Sequence, residues 1–101
     1  MPSYHPVCRE DELRPGEGRL VEIDGKAIAL FRAGDALHAV EDTCLHAGGP
    51  LHEGVLDGTT VTCPWHEWRF DVATGRCELN PLASLACYPV RVRGGMIEIQ
   101  V

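Results

Sequence analysis

The sequence predicts an all-β protein, a small antiparallel β-sandwich or barrel, formed as one domain over residues 1–101. Three observations favour this class. Short β-branched and apolar runs alternate with turn signals, no segment carries a helical stripe longer than a turn or two, and the chain is long enough for one core of modest size. The stretch from about Asp42 to about Leu82 is predicted to be a subdomain inserted into that sandwich.

The part of the chain before the insertion predicts three strands joined by tight turns. Residues 19–23 alternate imperfectly between polar and apolar side chains, and Asp24-Gly25 is a strong signal for a two-residue turn. Residues 26–31 then return as the second strand. A turn at Ala33-Gly34 leads into a third strand over residues 35–41.

Further strands are predicted within and after the insertion. Residues 59–63 are rich in β-branched side chains, and residues 68–71 alternate aromatic with polar side chains. Gly94-Gly95 lies between two more strands near the end of the sequence. The first residues, around His5, are predicted to be a frayed end without regular structure.

Two short motifs supply candidate metal ligands, Cys44-Leu45-His46 and Cys63-Pro64-Trp65-His66, separated by sixteen residues. Each motif offers one thiolate and one imidazole in a glycine- and proline-rich context. If the two loops face each other, they present the two-sulfur, two-nitrogen set that holds a Rieske 2Fe-2S centre. The pattern therefore predicts an electron carrier with one such cluster and with no catalytic residues.

The chain resembles the Rieske family over nearly its whole length. Beyond the ligand motifs, residues 36–42 resemble the strand before the first loop, and residues 50–54 resemble the linker after it. Residues 68–75 resemble the strand and turn after the second loop. Residues 80–82 resemble a proline-containing third loop, and residues 88–99 resemble a closing hairpin. The resemblance implies that Cys44 and Cys63 bind the inner iron. It also implies that His46 and His66 bind the outer iron, near solvent.

The family resemblance also implies a role. The chain is similar to the small ferredoxins that pass single electrons from a flavin-containing NAD(P)H reductase to a terminal ring-hydroxylating oxygenase. A chain of 101 residues has no room for the mononuclear iron domain of the oxygenase itself. An alternative in the same electron-transfer class is the small subunit of an NADH-dependent assimilatory nitrite reductase, although its members often lack some of the four ligands.

A zinc-stabilised interaction domain is the alternative from a different class. Zinc sites also use two cysteines and two histidines, but the two ligands of a pair usually have two to four residues between them. Cys44 and His46 have one residue between them, which suits two adjacent metals better than one. Four core residues without a metal are a further reading, but such glycine-rich loops lack the apolar periodicity of a core.

Charge, hydropathy and cysteine usage together favour a cytoplasmic, monomeric protein that binds neither membrane nor nucleic acid. The formal net charge is −6, which favours redox partners with a basic docking patch. No apolar run of eighteen residues is present, and the first residues do not look like a secretory signal. The cysteines outside the motifs, Cys8, Cys77 and Cys87, are an odd number and are interpreted as small buried hydrophobic residues.

Departures from high-potential members of the family predict a low reduction potential. Those proteins add a disulfide between the two loops, at positions that are Gly49 and Trp65 here. They also carry a serine and a tyrosine whose hydroxyls hydrogen-bond to sulfur, where this chain has Trp68 and Phe70. A glycine commonly follows the second ligand histidine, and here that position is Glu67, read as a solvent-facing docking charge.

His52 lies close behind the first motif and could be mistaken for a ligand. It has no partner residue at ligand spacing. We therefore interpret it as part of the linker between the first ligand loop and the next strand.

Overall fold

The computed structural model describes residues 3–42, 50–65, 67–78, 80 and 82–101. Within these residues the chain forms ten β-strands and two short 3-10 turns. The strands are β1 (Tyr4–Arg9), β2 (Gly18–Ile23), β3 (Lys26–Ala33), β4 (Ala36–Glu41), β5 (Val55–Asp57), β6 (Thr60–Thr62), β7 (Arg69–Asp71), β8 (Cys87–Tyr88), β9 (Val90–Arg93) and β10 (Met96–Gln100). The first 3-10 turn is Glu10–Glu12 and the second is Leu51–Glu53.

The strands form three antiparallel sheets with the orders β1-β10-β9, β2-β3-β4-β8 and β5-β6-β7. The predicted all-β, antiparallel class is confirmed. Strands β4 and β8 are neighbours, with Ala39 opposite Tyr88 and Val40 opposite Cys87. The chain therefore leaves the second sheet after β4, builds the β5-β6-β7 sheet, and returns to the same sheet at β8. The assignment of residues 1–101 to one domain stays a prediction.

The predicted hairpins form, with one turn displaced by a residue. Asp24 and Gly25 have φ of 50° and 79° and join β2 to β3, as two-residue turns with left-handed dihedrals do in hairpins. The turn predicted at Ala33-Gly34 lies instead at Gly34-Asp35, because Ala33 is the last residue of β3 and pairs with Ala36. Gly94-Gly95 separates β9 from β10 as predicted.

The first residues do not form the frayed end that was predicted around His5. His5 pairs with Ile99 and Tyr4 pairs with Gln100, which makes β1 the edge strand of the first sheet. Pro6 is accommodated there because an edge strand can leave one backbone position without a ladder hydrogen bond. The pairing of β1 with β10 joins opposite ends of the sequence, so no local sequence pattern predicts it.

Strand β3 is buried on both faces and separates two hydrophobic cores. Its residues Ile28 and Leu30 point into a core with residues of the first sheet, including Ile97 and Ile99. The intervening Ala29 and Phe31 point to the opposite face. There they join a second core built with the β5-β6-β7 sheet, whose members include Leu51, Val61, Cys63, Phe70, Val72, Cys77 and Leu85. Among the described residues, no helix has the length and apolar character needed to cross a bilayer.

Candidate metal centre

One of the four predicted ligands, Cys63, belongs to the described part of the chain. It follows β6 directly and has no exposed surface. Cys44, His46 and His66 lie outside the described residues. The structure therefore gives the surroundings of one predicted sulfur ligand and the flanks of the other three positions, and the ligand assignment stays a prediction.

The sulfur of Cys63 accepts a hydrogen bond from the backbone of the same loop. The N–H of Trp65 donates to Cys63 Sγ at 3.4 Å, and the N–H of Cys63 donates to the carbonyl oxygen of Trp68 at 2.7 Å. The second bond closes the loop back onto the start of β7. A backbone donor aimed at a buried sulfur stabilises electron density there, which is what a metal-bound thiolate requires.

The loop that follows Cys63 extends from the core to the surface. Pro64 is exposed, and the side chain of Trp65 is 50% exposed. Trp68 is partly buried and packs against the same core as Cys63. The second ligand motif thus begins in the protein interior at its cysteine and reaches solvent before its histidine position.

Glu67, the residue after His66, has a left-handed backbone. Its φ is 58°, and its side chain is exposed. Left-handed dihedrals strain any residue with a Cβ atom, so a glycine at this position is the unstrained choice. This conformation gives the physical reason why glycine is common here in the family, and the exposure agrees with the solvent-facing interpretation of the carboxylate.

Two residues that flank the first motif are joined by hydrogen bonds. Asp42, which follows β4, is buried, with 7% of its surface exposed. Both of its carboxylate oxygens contact His52. His52 lies in the second 3-10 turn, where the sequence placed it in the linker. The sequence offered no signal for Asp42, because an acidic residue at a strand end is normally solvated.

Gly54 permits the second 3-10 turn to pack closely on β6. A Cβ atom at this position would overlap the carbonyl oxygen of Thr62 and would lie 2.9 Å from a methyl group of Val61. Thr62 immediately precedes Cys63. The close approach therefore brings the linker that follows the first motif against the strand that leads into the second.

The profile of the Rieske 2Fe-2S domain matches residues 3–89 of the chain. The chain belongs to the Rieske 2Fe-2S domain family. Ferredoxin CarAc of Metapseudomonas resinovorans is 38% identical over 95 residues, which cover 92% of this chain and 89% of that protein.

Two solved structures are similar over nearly their whole length. The first is the complex of reduced oxygenase and oxidised ferredoxin in carbazole 1,9a-dioxygenase. One of its chains is similar to this chain, with a TM-score of 0.89 and 35% identity, and the similarity covers 95% of this chain and 91% of that one. A Mycobacterium tuberculosis chain assigned as the small subunit of an NADH-dependent nitrite reductase has a TM-score of 0.93 and 30% identity, covering 100% and 96%.

Membership of the family decides the cofactor. A Rieske domain carries one 2Fe-2S cluster, so the predicted cofactor is confirmed and the zinc interpretation is not supported. The described donor fits this group, since Cys63 is a buried sulfur that already accepts a backbone hydrogen bond.

The cysteines outside the motifs divide into two buried residues and one exposed residue. Cys8 and Cys77 are buried, as predicted, with exposures of 7% and 3%. Cys87 is exposed, so its interpretation as a buried residue was wrong. It lies in the short β8 strand, where the surrounding protein still raises the pKa of its thiol by desolvation, and the carboxylates of Asp71 and Glu41 add to this. The raised pKa keeps Cys87 a neutral thiol at pH 7 and a weak nucleophile.

Replacing Glu67 by glycine is expected to stabilise the Rieske domain. The substitution relieves the left-handed strain at φ 58°, which costs about 1 kcal/mol for a residue with a Cβ atom. Denaturant unfolding of the cluster-loaded protein measures the effect. Glu67→Ala is the matched control, because it removes the same carboxylate and keeps the Cβ atom. Equal stability of the two variants would show that the charge, and not the backbone, sets the difference from the wild type.

Proposed function

We propose that this chain is a low-potential Rieske ferredoxin that carries single electrons from a flavin-containing NAD(P)H reductase to the terminal oxygenase of a ring-hydroxylating system. The observation that carries the proposal is the Rieske domain itself, with a sequence 38% identical to that of a ferredoxin over 92% of the chain. A similar ferredoxin has been solved in complex with an oxygenase. The chain would act as a carrier and would form no bonds in the substrate.

We propose Cys44, His46, Cys63 and His66 as the cluster ligands, with the cysteines on the inner iron and the histidines on the outer iron. The cluster supplies a reversible one-electron couple when it is bound. The chain's own part is to bury Cys63 and to donate the Trp65 N–H to its sulfur. Exposure of Trp65 and Glu67 on either side of His66 supports a position near solvent for that histidine, where an electron can leave.

The surface near the proposed exit supports docking of a redox partner. The side chain of Trp65, next to His66, is 50% exposed, and that of Leu82, in the segment that resembles the family's third loop, is 95% exposed. Both offer apolar contact area. Glu67 adds a carboxylate, and the whole chain has a net charge of −6. A partner with a basic rim around an apolar centre would fit this surface, and its association would be steered by charge. We further propose that the protein acts as a monomer in the cytoplasm. Three described cysteines outside the ligand motifs, Cys8, Cys77 and Cys87, form no disulfide, as is usual in a reducing compartment.

A second candidate is the small subunit of an NADH-dependent nitrite reductase. The similarity to the Mycobacterium tuberculosis chain, with a TM-score of 0.93, favours it. The complete set of two cysteines and two histidines in the sequence favours the ferredoxin instead, because members of the nitrite reductase group often lack some of the four ligands. The similarity to ferredoxin CarAc, at higher identity, points the same way.

Electron transfer in a reconstituted system tests the proposed function. The cluster-loaded protein would replace the ferredoxin of carbazole 1,9a-dioxygenase in a mixture of that system's reductase, its oxygenase and NADH. We expect reduction of the oxygenase cluster in stopped-flow spectra, with a second-order rate constant that falls as NaCl rises from about 50 to 500 mM, because the Debye length shortens about threefold. Transfer to a nitrite reductase large subunit, with none to the oxygenase, would support the second candidate.

A further inference from the structure

Asp42 and His52 stand at the two ends of the segment that contains the first ligand motif. Asp42 directly follows β4, and His52 is the middle residue of the second 3-10 turn. The carboxylate of Asp42 contacts this single residue twice: Oδ1 accepts the backbone N–H of His52 at 2.7 Å, and Oδ2 lies 2.6 Å from His52 Nδ1. Both oxygens of one acid are thus committed to one residue across the base of the loop.

Each end of this contact is anchored to the fold independently. The backbone N–H of Asp42 donates to the carbonyl oxygen of Ala27 in β3 at 2.9 Å. On the other side, Leu51 is fully buried in the core that contains Cys63. The N–H of Gly54 donates to the carbonyl oxygen of Leu51 at 2.9 Å, which closes the 3-10 turn. The Asp42–His52 contact therefore joins two fixed points and does not merely satisfy a mobile side chain.

The contact is shielded from water. The side chain of Asp42 is 4% exposed and that of His52 is 21% exposed. Hydrogen bonds to an ionised group are about twice as strong as those between neutral groups, and a low-dielectric setting strengthens them further. An ionised carboxylate can only accept a hydrogen bond, so with Asp42 in that form the proton of this contact is carried by His52 Nδ1. The second ring nitrogen, Nε2, is 3.8 Å from a carboxylate oxygen of Glu53, so both nitrogens of this histidine face carboxylates of the chain.

We infer that Asp42 and His52 form a clamp that positions the first ligand loop, holding residues 42 and 52 at the separation that places Cys44 and His46 on the cluster. The inference rests on the proposed assignment of those two ligands. His52 is a positioning residue here and does not bind iron. The sheets have supports of their own, since β4 pairs with β3 and the second core is built without either member of the clamp.

Cluster retention in purified, cluster-loaded variants tests the clamp. His52→Leu removes the side-chain contact to Asp42 and keeps the backbone one, and Asp42→Asn removes the charge from both. We expect loss of the visible spectrum to an excess of iron chelator to be about tenfold faster, the lower end of the effect of removing residues that orient metal ligands. His52→Asn should restore much of the retention, because its side-chain N–H can occupy the place of Nδ1–H. The double variant should lose its cluster no faster than the worse single variant, since both changes break one contact.

His5→Gln is the matched control. His5 also lies near an aspartate, with Nε2 3.9 Å from Asp24 Oδ2, but on β1 and with Asp24 74% exposed. We expect wild-type retention in this variant. The electron paramagnetic resonance line shape of the reduced protein is the second readout. We expect broader lines than in the wild type for His52→Leu and Asp42→Asn, and wild-type lines for His5→Gln.

Two results would overturn the clamp. Unchanged chelator rates and line shapes in His52→Leu and Asp42→Asn, accompanied by lower unfolding midpoints, would show that the pair serves stability only. His52 would be a ligand if His52→Asn and His52→Leu both lost iron as completely as a Cys44→Ala variant does. Retention of the cluster by Cys44→Ala or His46→Ala would instead contradict the ligand assignment, whatever the clamp variants do.

Discussion

Alanine at any one of Cys44, His46, Cys63 or His66 is expected to abolish the 2Fe-2S spectrum. Each position would supply a metal bond that no neighbouring side chain can replace. At Cys63 the change would also leave the N–H of Trp65 without the sulfur to which it donates at 3.4 Å. Iron and acid-labile sulfide assays on the purified variants, with electron paramagnetic resonance of the reduced protein, measure the loss.

Cys77→Ala is the matched control for Cys63→Ala. Both cysteines are buried in the same hydrophobic core, with exposures of 3% and 0%, so both substitutions remove a sulfur atom from similar surroundings. We expect Cys77→Ala to keep its cluster. Loss of the cluster from this control would mean that core packing decides retention, and a normal signal in a variant of one of the four proposed ligands would remove that residue from the site.

Phe70→Tyr is expected to raise the reduction potential. Phe70 has no exposed surface and shares a core with Cys63, so an added hydroxyl would be buried and would seek an acceptor there. High-potential members of the family carry a tyrosine at the matching position, whose hydroxyl donates to a cysteine sulfur. Such a bond withdraws electron density and stabilises the reduced cluster. We expect a rise on the order of tens of millivolts, where about 59 mV corresponds to about 1.4 kcal/mol for one electron.

Phe31→Tyr controls for the burial of the hydroxyl itself. Phe31 is equally buried in the same core but lies on β3, outside the ligand loops. We expect it to lower stability by about 1–3 kcal/mol, as an unsatisfied buried hydroxyl does, and to leave the potential unchanged. Potentiometric titration of the two variants separates the effects. A fall in potential in Phe70→Tyr, or an equal rise in both, would contradict a specific bond to sulfur.

Much of the fold could be predicted from local pattern because its hairpins are local. Asp24-Gly25 and Gly94-Gly95 announce turns, and the strands beside them pair with their nearest neighbours in sequence. Strand β1 could not be predicted in this way, because its partner β10 lies at the other end of the chain. The exposure of Cys87 was also missed, since it depends on the two-residue β8 strand beside β4.

The candidate site shows the same division. The ligand motifs are readable because cysteine and histidine at short spacing are rare outside metal sites. The contact between Asp42 and His52 spans ten sequence positions and depends on where β4 and the 3-10 turn come together. No propensity or spacing rule predicts which residues come into contact where these two elements meet. The left-handed φ of Glu67 is hidden for a different reason, since glutamate is a poor indicator of the conformation that it adopts here.

The reduction potential of the wild-type protein tests the low-potential ferredoxin most directly. High-potential members have two hydroxyl-bearing residues at the positions that Trp68 and Phe70 occupy in this chain. Neither Trp68 nor Phe70 has a hydroxyl that could donate to sulfur. Redox titration of the cluster-loaded protein at pH 7 should give a midpoint around −150 mV, near the low end of the Rieske range. Such a carrier can be reduced by flavin and can pass its electron to an oxygenase. A midpoint well above about 0 mV, in the range of quinol-oxidising Rieske proteins, would contradict the proposed function.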